Sequence, residues 1–145
     1  MIGMHGHPTP NFMIQEADLI LAIGSRFDDR TVGRADAYAP TAQKACKDGT
    51  GGIVHVDIRK TENGKVIDPT IFINSDCKLF FKEINKIVQP KENNAWIEKM
   101  KFLQNKYKLQ IPQIKDNKLS VQYVMEKLDN MMKNVKEKCI YSTGV

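Results

Sequence analysis

Three short apolar runs, separated by segments long enough for helices, constrain what this chain can fold into. The runs lie at residues 19–23, 53–58 and 71–73, and Leu, Ile and Val dominate them. Short apolar runs bounded by turn residues are typical of strands in parallel sheets, and the first run suits a strand buried on both faces. Because helix-compatible segments alternate with the runs, the order predicts an α/β fold built on a parallel sheet.

Helical spacing marks the segments around these runs. Residues 11–16 and 40–48 are compatible with helices. Apolar residues at helical spacing in 77–88 predict a further helix, which ends before Pro90. The polar segment after the first run, residues 25–34, is predicted to be a loop at the carboxyl end of that strand.

The sequence beyond Pro90 has a different pattern. Four apolar residues at helical spacing predict an amphipathic helix there: Trp96, Met100, Leu103 and Tyr107. Residues 111–118 indicate a linker, and Ser120 is placed to cap a second helix with a buried apolar face. A last short strand is predicted at residues 139–142.

The predicted elements divide the chain into three parts. They are a partial α/β domain at residues 1–90, a helical linker at 91–138, and the first strand of a further domain at 139–145. A parallel sheet of three strands covers its own faces and edges poorly. We therefore expect the sequence to be a piece of a larger protein.

Charge and glycine are distributed unevenly along the chain. Residues 1–77 carry 8 Lys and Arg against 10 Asp and Glu, whereas residues 78–145 carry 14 against 7. All four arginines and eight of the nine glycines lie in the first part, which has the composition of a binding site. The lysines of the second part are spread over every helix face without interleaved aromatic residues, which favours a solvated surface over a nucleic-acid-binding face.

Composition and spacing also argue against several classes of protein. No apolar run reaches the roughly 18 residues of a transmembrane helix, and no secretory signal is recognisable. The three cysteines, Cys46, Cys77 and Cys139, form no CxxC motif, which argues against a disulfide framework and favours a reducing compartment. His5 and His7 have no nearby third ligand, so no metal site is predicted.

Polar residues follow the first predicted strand at the carboxyl edge of the sheet, where open α/β sheets bind ligands. They are Gly24, Arg26, Asp28, Asp29 and Arg30. Glycine lets a ligand approach the backbone, and two guanidinium groups oriented by interleaved carboxylates can hold an anion such as pyrophosphate. A surface ion-pair network fits the same residues, and the sequence leaves both interpretations open.

Acidic residues end the other two predicted strands. Asp57 is placed either to accept hydrogen bonds from ribose hydroxyls or to act as a helix N-cap or turn residue. Asp76 is placed either to face a ligand or to cap the helix that begins at Cys77. Polar residues at three strand ends favour a nucleotide-like ligand, although the phosphate-binding motifs GxGxxG and GxxxxGKS/T are absent.

These motifs together resemble one enzyme family. The motifs are GMHG at residues 3–6, Asn11, ADLILAIGSRFDDR at 17–30, Ala39-Pro40 and IVHVDI at 53–58. The combination resembles the catalytic subunit of the acetolactate synthases, a thiamine diphosphate-dependent family, over essentially the whole chain, and RFDDR is its most specific part. The resemblance implies the second half of a central, Rossmann-like FAD-binding domain, a helical linker, and the start of a C-terminal domain.

The resemblance also implies roles for individual residues. Contacts along the FAD are implied for Gly3, Met4 and His5, contacts to its ribityl-diphosphate part for Gly24, Arg26, Asp28 and Arg30, and contacts near its adenosine for Asp57, Ile58, Asp76 and Cys77. Met4, Asp29 and Arg30 match positions that line the active-site entrance, where inhibitors of the family bind. Ser75 stands where the family has a glycine.

The implied reaction belongs to the parent enzyme. It condenses pyruvate with a second 2-oxo acid, pyruvate or 2-oxobutyrate, in the biosynthesis of valine and isoleucine. Thiamine diphosphate and Mg²⁺ are expected to bind outside this chain, FAD is expected to be structural, and the chain is expected to hold no catalytic residue and to be inactive alone. The resemblance further implies a homo-oligomer (dimer or tetramer), a regulatory subunit, no nucleic-acid or membrane partner, and a mitochondrial location, with plastid or cytoplasm as alternatives.

Two other functions fit the same residues. The chain can be a piece of another thiamine diphosphate enzyme, such as glyoxylate carboligase or a 2-oxo acid decarboxylase, although RFDDR favours the synthase. It can also be a stand-alone nucleotide- or flavin-binding regulatory module without catalysis. That alternative predicts a stable monomer and tight ligand binding by this chain alone.

Overall fold

A computed structural model describes residues 1–108, 110–112, 118–135, 138–140 and 142. The chain divides into two compact units, Met1–Tyr107 and Lys108–Val145. No helix in the described part of the chain is long and apolar enough to span a membrane.

The first unit is built on three parallel strands in the order β1-β2-β3. The strands are β1 (Leu19–Ile23), β2 (Gly52–Asp57) and β3 (Ile71–Asn74). The register places the end of β1 beside Val56 and the end of β2 beside Asn74. All three strands therefore end at the same edge of the sheet, which confirms the predicted α/β architecture.

The described residues of the two units contain six helices. They are α1 (Pro8–Glu16), α2 (Asp29–Val32), α3 (Pro40–Lys47), α4 (Cys77–Ile84), α5 (Asn94–Lys106) and α6 (Val121–Met131), with 3₁₀ turns at Ala35–Ala37 and Lys60–Glu62. The first helix begins earlier than the predicted residue 11, because Pro8 suits a first helical turn and the His7 ring accepts a hydrogen bond from the Thr9 N–H.

The segment at residues 25–34, predicted to be a loop, contains the four-residue helix α2. The Asp28 carboxylate accepts a hydrogen bond from the Thr31 N–H at 2.9 Å and so caps this helix. Gly33 adopts φ 67°, and its N–H closes the helix on the Asp29 carbonyl. The prediction was wrong here because a single helical turn is too short to show apolar periodicity.

One face of the sheet carries the core of the first unit. Buried side chains from the strands, from α3 and from the connecting segments form a single cluster: Ile20, Ala22, Phe27, Val32, Tyr38, Ala39, Ala42, Ile53 and Ile67. Ile20 and Ile53 are register partners and point to the same side. The other side of β1 is open, since Leu19 and Leu21 are 59% and 47% exposed. The expectation that β1 is buried on both faces is therefore wrong, because β1 is an edge strand and α4 packs on β2.

Helix α5 packs against α1 within the first unit. The ring of Phe12 stacks on that of Tyr107 with centroids 5.2 Å apart, and Lys99 forms an ion pair with Glu16. The Tyr107 carbonyl also accepts a hydrogen bond from the ring of His7 at 2.7 Å. The predicted amphipathic helix thus exists and covers the outer side of α1.

In the second unit, the Ser120 hydroxyl accepts a hydrogen bond from the Tyr123 N–H and caps α6, as predicted. The predicted burial of its apolar face is wrong, since Val121, Val124 and Met125 are exposed and no residue of α6 is buried. Parts of the predicted linker and of the strand at residues 139–142 lie outside the described residues, as does Gly144. The domain boundaries at residues 90 and 138 stay predictions.

Candidate functional site

Hydrogen bonds tie the carboxyl ends of the three strands together. The Gly24 N–H donates to the Val56 carbonyl at 2.8 Å, and the Ser75 N–H donates to the Asp57 carbonyl at 3.2 Å. The Asn74 amide donates to the carbonyls of both Asp57 and Ile58, at 3.0 and 2.8 Å. The strand ends therefore form one rigid edge on which the predicted site residues converge.

Gly24 leaves this edge open at the end of β1. Its φ of 61° is left-handed, which favours glycine. A Cβ built on Gly24 would find only the Cys77 sulfur within 4 Å, at 3.9 Å. The glycine is therefore favoured by the left-handed backbone and not by crowding. The space next to its Cα, near the start of α4, has room for a ligand.

The acidic residues at the other two strand ends take the structural roles offered for them. Asp57 is buried, and its carboxylate accepts a hydrogen bond from the Arg59 N–H at 2.7 Å, which forms a turn. The Asp76 carboxylate accepts from the N–H groups of Lys78 and Leu79 and so caps α4. Both carboxylates still lie at the open edge, and their roles toward a ligand stay predictions.

The two arginines of the RFDDR segment lie in the loop and the short helix that follow β1. Arg26 and Arg30 are exposed, and neither guanidinium group forms an ion pair or hydrogen bond with any residue that the structure describes. Just beyond this segment, Arg34 forms an ion pair with Asp36 at 2.5 Å. Within the part of the chain that the structure describes, no carboxylate pairs with Arg26 or Arg30 and no broad ion-pair network forms, so both cations are available to an anion.

The Asp28 carboxylate accepts a hydrogen bond from the backbone of α2 and forms no ion pair with an arginine among the described residues. Hydrogen bonds from the Thr31 side chain and N–H lower the pKa of Asp28 below its ordinary value, and the positive charge of Arg26 acts in the same direction. Asp28 therefore fixes the helix turn that carries Asp29 and Arg30, both of which are exposed.

The amino-terminal turn lies against the same segment. The Met4 N–H donates to the Arg30 carbonyl at 2.8 Å. Gly3 adopts φ 97°, and a Cβ built on it would stand 2.3 Å from the Arg30 oxygen, so no other residue fits there. Met4 is 71% exposed and His5 is exposed too. The structure thus brings together Met4, Asp29 and Arg30, which the resemblance placed at one entrance.

Sequence reasoning gave no role to His55, which anchors the loop after β1. The side chain is fully buried in β2, and its Nε2 atom lies 2.9 Å from the Ser25 carbonyl oxygen. The rings of Phe27 and Phe72 meet the imidazole edge-on, with centroids at 4.9 and 5.4 Å. A polar residue inside an apolar strand run was the signal that could have indicated this role.

The comparisons with known proteins agree with this architecture. Residues 1–84 match the family model described as the thiamine pyrophosphate enzyme, central domain. The chain is 34% identical over 151 residues to the mitochondrial acetolactate synthase catalytic subunit of Saccharomyces cerevisiae, and the match covers 100% of this chain and 21% of that protein. It is 35% identical over 149 residues to the mitochondrial acetolactate synthase of Schizosaccharomyces pombe, again over 100% of this chain and 22% of the relative.

A third relative is the acetolactate synthase large subunit of Cyanidium caldarium, 35% identical over 152 residues, with 100% of this chain and 24% of the relative covered. The chain thus spans between a fifth and a quarter of the length of these relatives. Since the family model matches more than half of the chain, and the parallel sheet is the one expected for it, the chain belongs to the thiamine pyrophosphate enzymes through their central domain.

Proposed function

We propose that this chain is a piece of an acetolactate synthase and supplies part of its FAD-binding surface. The relatives that match the whole chain carry that name. The observation that carries the proposal is that Arg26 and Arg30, in the segment that follows the open edge at Gly24, form no ion pair with any described residue. Exposed arginine groups of this kind bind diphosphate oxygens with two hydrogen bonds each.

We propose that the residues at the edge meet the parts of FAD in order. Arg26, Arg30 and Gly24, with Asp28 fixing the turn, would hold the ribityl-diphosphate part, and Gly3, Met4 and His5 would lie along the flavin. Asp57, Ile58, Asp76 and Cys77 would lie near the adenosine. This edge suits a ligand with both charged and apolar parts. The end of β1 is followed by the cation Arg26, and the end of β2 carries the buried carboxylate Asp57 and the 67% exposed Ile58.

The chemistry of the whole enzyme is proposed to lie outside this chain. Thiamine diphosphate supplies the carbanion chemistry in this class of enzyme. We assign it and Mg²⁺ to other parts of the protein, no catalytic residue to this chain, and a structural role to FAD. The proposed reaction joins pyruvate to pyruvate or 2-oxobutyrate, giving acetolactate or acetohydroxybutyrate for valine and isoleucine synthesis.

Assembly and location follow from the same proposal. We propose a homo-oligomer, dimer or tetramer, with a regulatory subunit. The two yeast relatives are named mitochondrial, whereas a tobacco relative is named chloroplastic. Mitochondrial location is therefore proposed over plastid or cytoplasm.

A chimera tests the proposal. In it, the segment of the Saccharomyces cerevisiae subunit that aligns with this chain is replaced by the 145 residues. We expect purified chimera to contain FAD and to form acetolactate from pyruvate. Replacing Arg26 and Arg30 together by Ala should remove most of the FAD, whereas Arg34→Ala should not, because Arg34 is paired with Asp36.

Two results would contradict the proposal. Equal loss of FAD in Arg34→Ala and in the double variant would show that FAD binding does not depend specifically on the unpaired Arg26 and Arg30. Tight FAD binding by the 145-residue chain alone would favour the stand-alone flavin-binding module instead.

A further inference from the structure

Asn11, in the first turns of α1, forms a pair of hydrogen bonds with the backbone N–H and the backbone carbonyl of Gly3. The Gly3 N–H donates to Asn11 Oδ1 at 2.7 Å, and Asn11 Nδ2 donates to the Gly3 carbonyl at 2.9 Å. We propose that Asn11 is the positioning residue that holds the turn Gly3–His5 against Arg30, and this inference rests on the proposed FAD-binding function. The sequence motif contained Asn11, but no role was assigned to it.

An amide side chain suits this position because it offers a donor and an acceptor side by side. The Gly3 carbonyl also accepts a hydrogen bond from the Gly6 N–H at 2.9 Å, so both of its lone pairs are used. Asn11 therefore binds the Gly3 backbone through its N–H and its carbonyl, while the Arg30 carbonyl oxygen lies 2.3 Å from where a Cβ on Gly3 would stand.

The scaffold behind Asn11 is firm. Helix α1 packs on α3, and the Thr41 hydroxyl donates to the Gln15 carbonyl at 2.8 Å. Because Met4 is largely exposed, side-chain packing contributes little to its position. Met4 reaches Arg30 through one backbone hydrogen bond, and the side-chain hydrogen bonds to the residue before it come from Asn11.

The hydrogen bond from the Met4 N–H to the Arg30 carbonyl gives a direct test, because Asn11 does not take part in it. Asn11→Ala removes both amide contacts, and Asn11→Asp keeps only the acceptor for the Gly3 N–H. Gln43→Ala is the matched control, since it removes another side-chain amide bond to a backbone carbonyl, that of Tyr38 at 2.6 Å.

Amide hydrogen exchange at Met4 in the purified chimera is the first measurement. We expect exchange to rise about tenfold in Asn11→Ala, less in Asn11→Asp, and not at all in Gln43→Ala. Unchanged Met4 exchange in both Asn11 variants would overturn the proposal. If Asn11→Ala does not fold, the Asp variant alone decides the question.

The FAD content of the chimera is the second measurement. We expect the Asn11 variants to lose FAD and Gln43→Ala to retain it at an equal thermal midpoint. Faster Met4 exchange with FAD retained would overturn the link between Asn11 and the ligand. A parent chimera that contains no FAD would overturn the proposed function, while the Met4 exchange would still decide whether Asn11 positions the turn.

Discussion

The Nε2 atom of His55 lies 2.9 Å from the carbonyl oxygen of Ser25, which joins the middle of the sheet to the loop that carries Arg26. A carbonyl oxygen only accepts, so Nε2 carries the hydrogen. Phe27, two residues after Ser25, has a left-handed φ of 50° and is held between the rings of His55 and Tyr38. The backbone on both sides of Arg26 is thus held by contacts with the core.

Replacing His55 by Phe should change the free energy of unfolding by less than about 1 kcal/mol, because two effects oppose each other. The Ser25 carbonyl loses its donor, which costs roughly 1–3 kcal/mol. The Nδ1 atom of His55 has no hydrogen-bond partner among the described residues, and removing this buried polar atom recovers a similar amount.

Urea unfolding of the 145-residue chain checks this, with His55→Ala as the comparison. The Ala variant leaves a cavity between Phe27 and Phe72 and should cost roughly 2–5 kcal/mol. Amide exchange after Ser25 should still rise in His55→Phe, because the loop has lost its anchor. An equal loss of stability in the two variants would show that the hydrogen bond outweighs the packing.

Replacing Asp76 by Ala should destabilise the first unit by about 1 kcal/mol, since Asp76 satisfies two N–H groups at the start of α4. Asp76→Asn keeps the accepting oxygen and should lose less than half of that. Urea unfolding followed by circular dichroism separates the two variants. If Asp76→Asn lowers the stability as much as Asp76→Ala, the negative charge of Asp76 stabilises the helix, and its capping hydrogen bonds do not.

The pH dependence of stability should show the ionisation of Asp28. Its pKa in the folded chain is lowered from the ordinary value of 3.8, chiefly by hydrogen bonds from Thr31. The stabilisation is therefore complete above the unfolded-state pKa and is lost as the pH falls through the lower folded-state value. Thermal unfolding should show that Asp28→Asn is less stable than the parent chain near pH 6, and that this difference in stability disappears as the pH falls to about 2. A constant difference between the two proteins over that range would contradict the assignment.

Local signals in the sequence were enough to predict the strands and several helix ends. The caps at Asp76 and Ser120 were predictable because each uses a hydrogen bond to a neighbour two or three residues away. His55 and Asn11 were not predictable in the same way. Their partners, Ser25 and Gly3, come close only through the fold, and sequence spacing carries no record of that contact. The exposed face of β1 was missed because its burial depends on neighbouring elements, not on its own composition.

Substitution of Gly24 can separate an effect on ligand binding from an effect on stability. The chain offers a control in Gly49, which has a similar backbone conformation but lies away from the proposed site. Gly24 and Gly49 have φ values of 61° and 69°, and a Cβ would meet nothing closer than 3.9 Å at the first and nothing within 4 Å at the second. Gly24→Ala and Gly49→Ala should therefore each cost about 1 kcal/mol of stability, from the left-handed backbone alone.

Only Gly24→Ala should weaken FAD binding in the chimera, since Gly24 lies at the open edge and Gly49 follows α3. The added methyl group would occupy the space in which we propose that the diphosphate approaches the backbone. FAD content and the thermal midpoint, measured for both variants, distinguish the two effects. If the two variants lose the same amount of FAD, the loss follows stability, and the edge at Gly24 is not where the ligand binds.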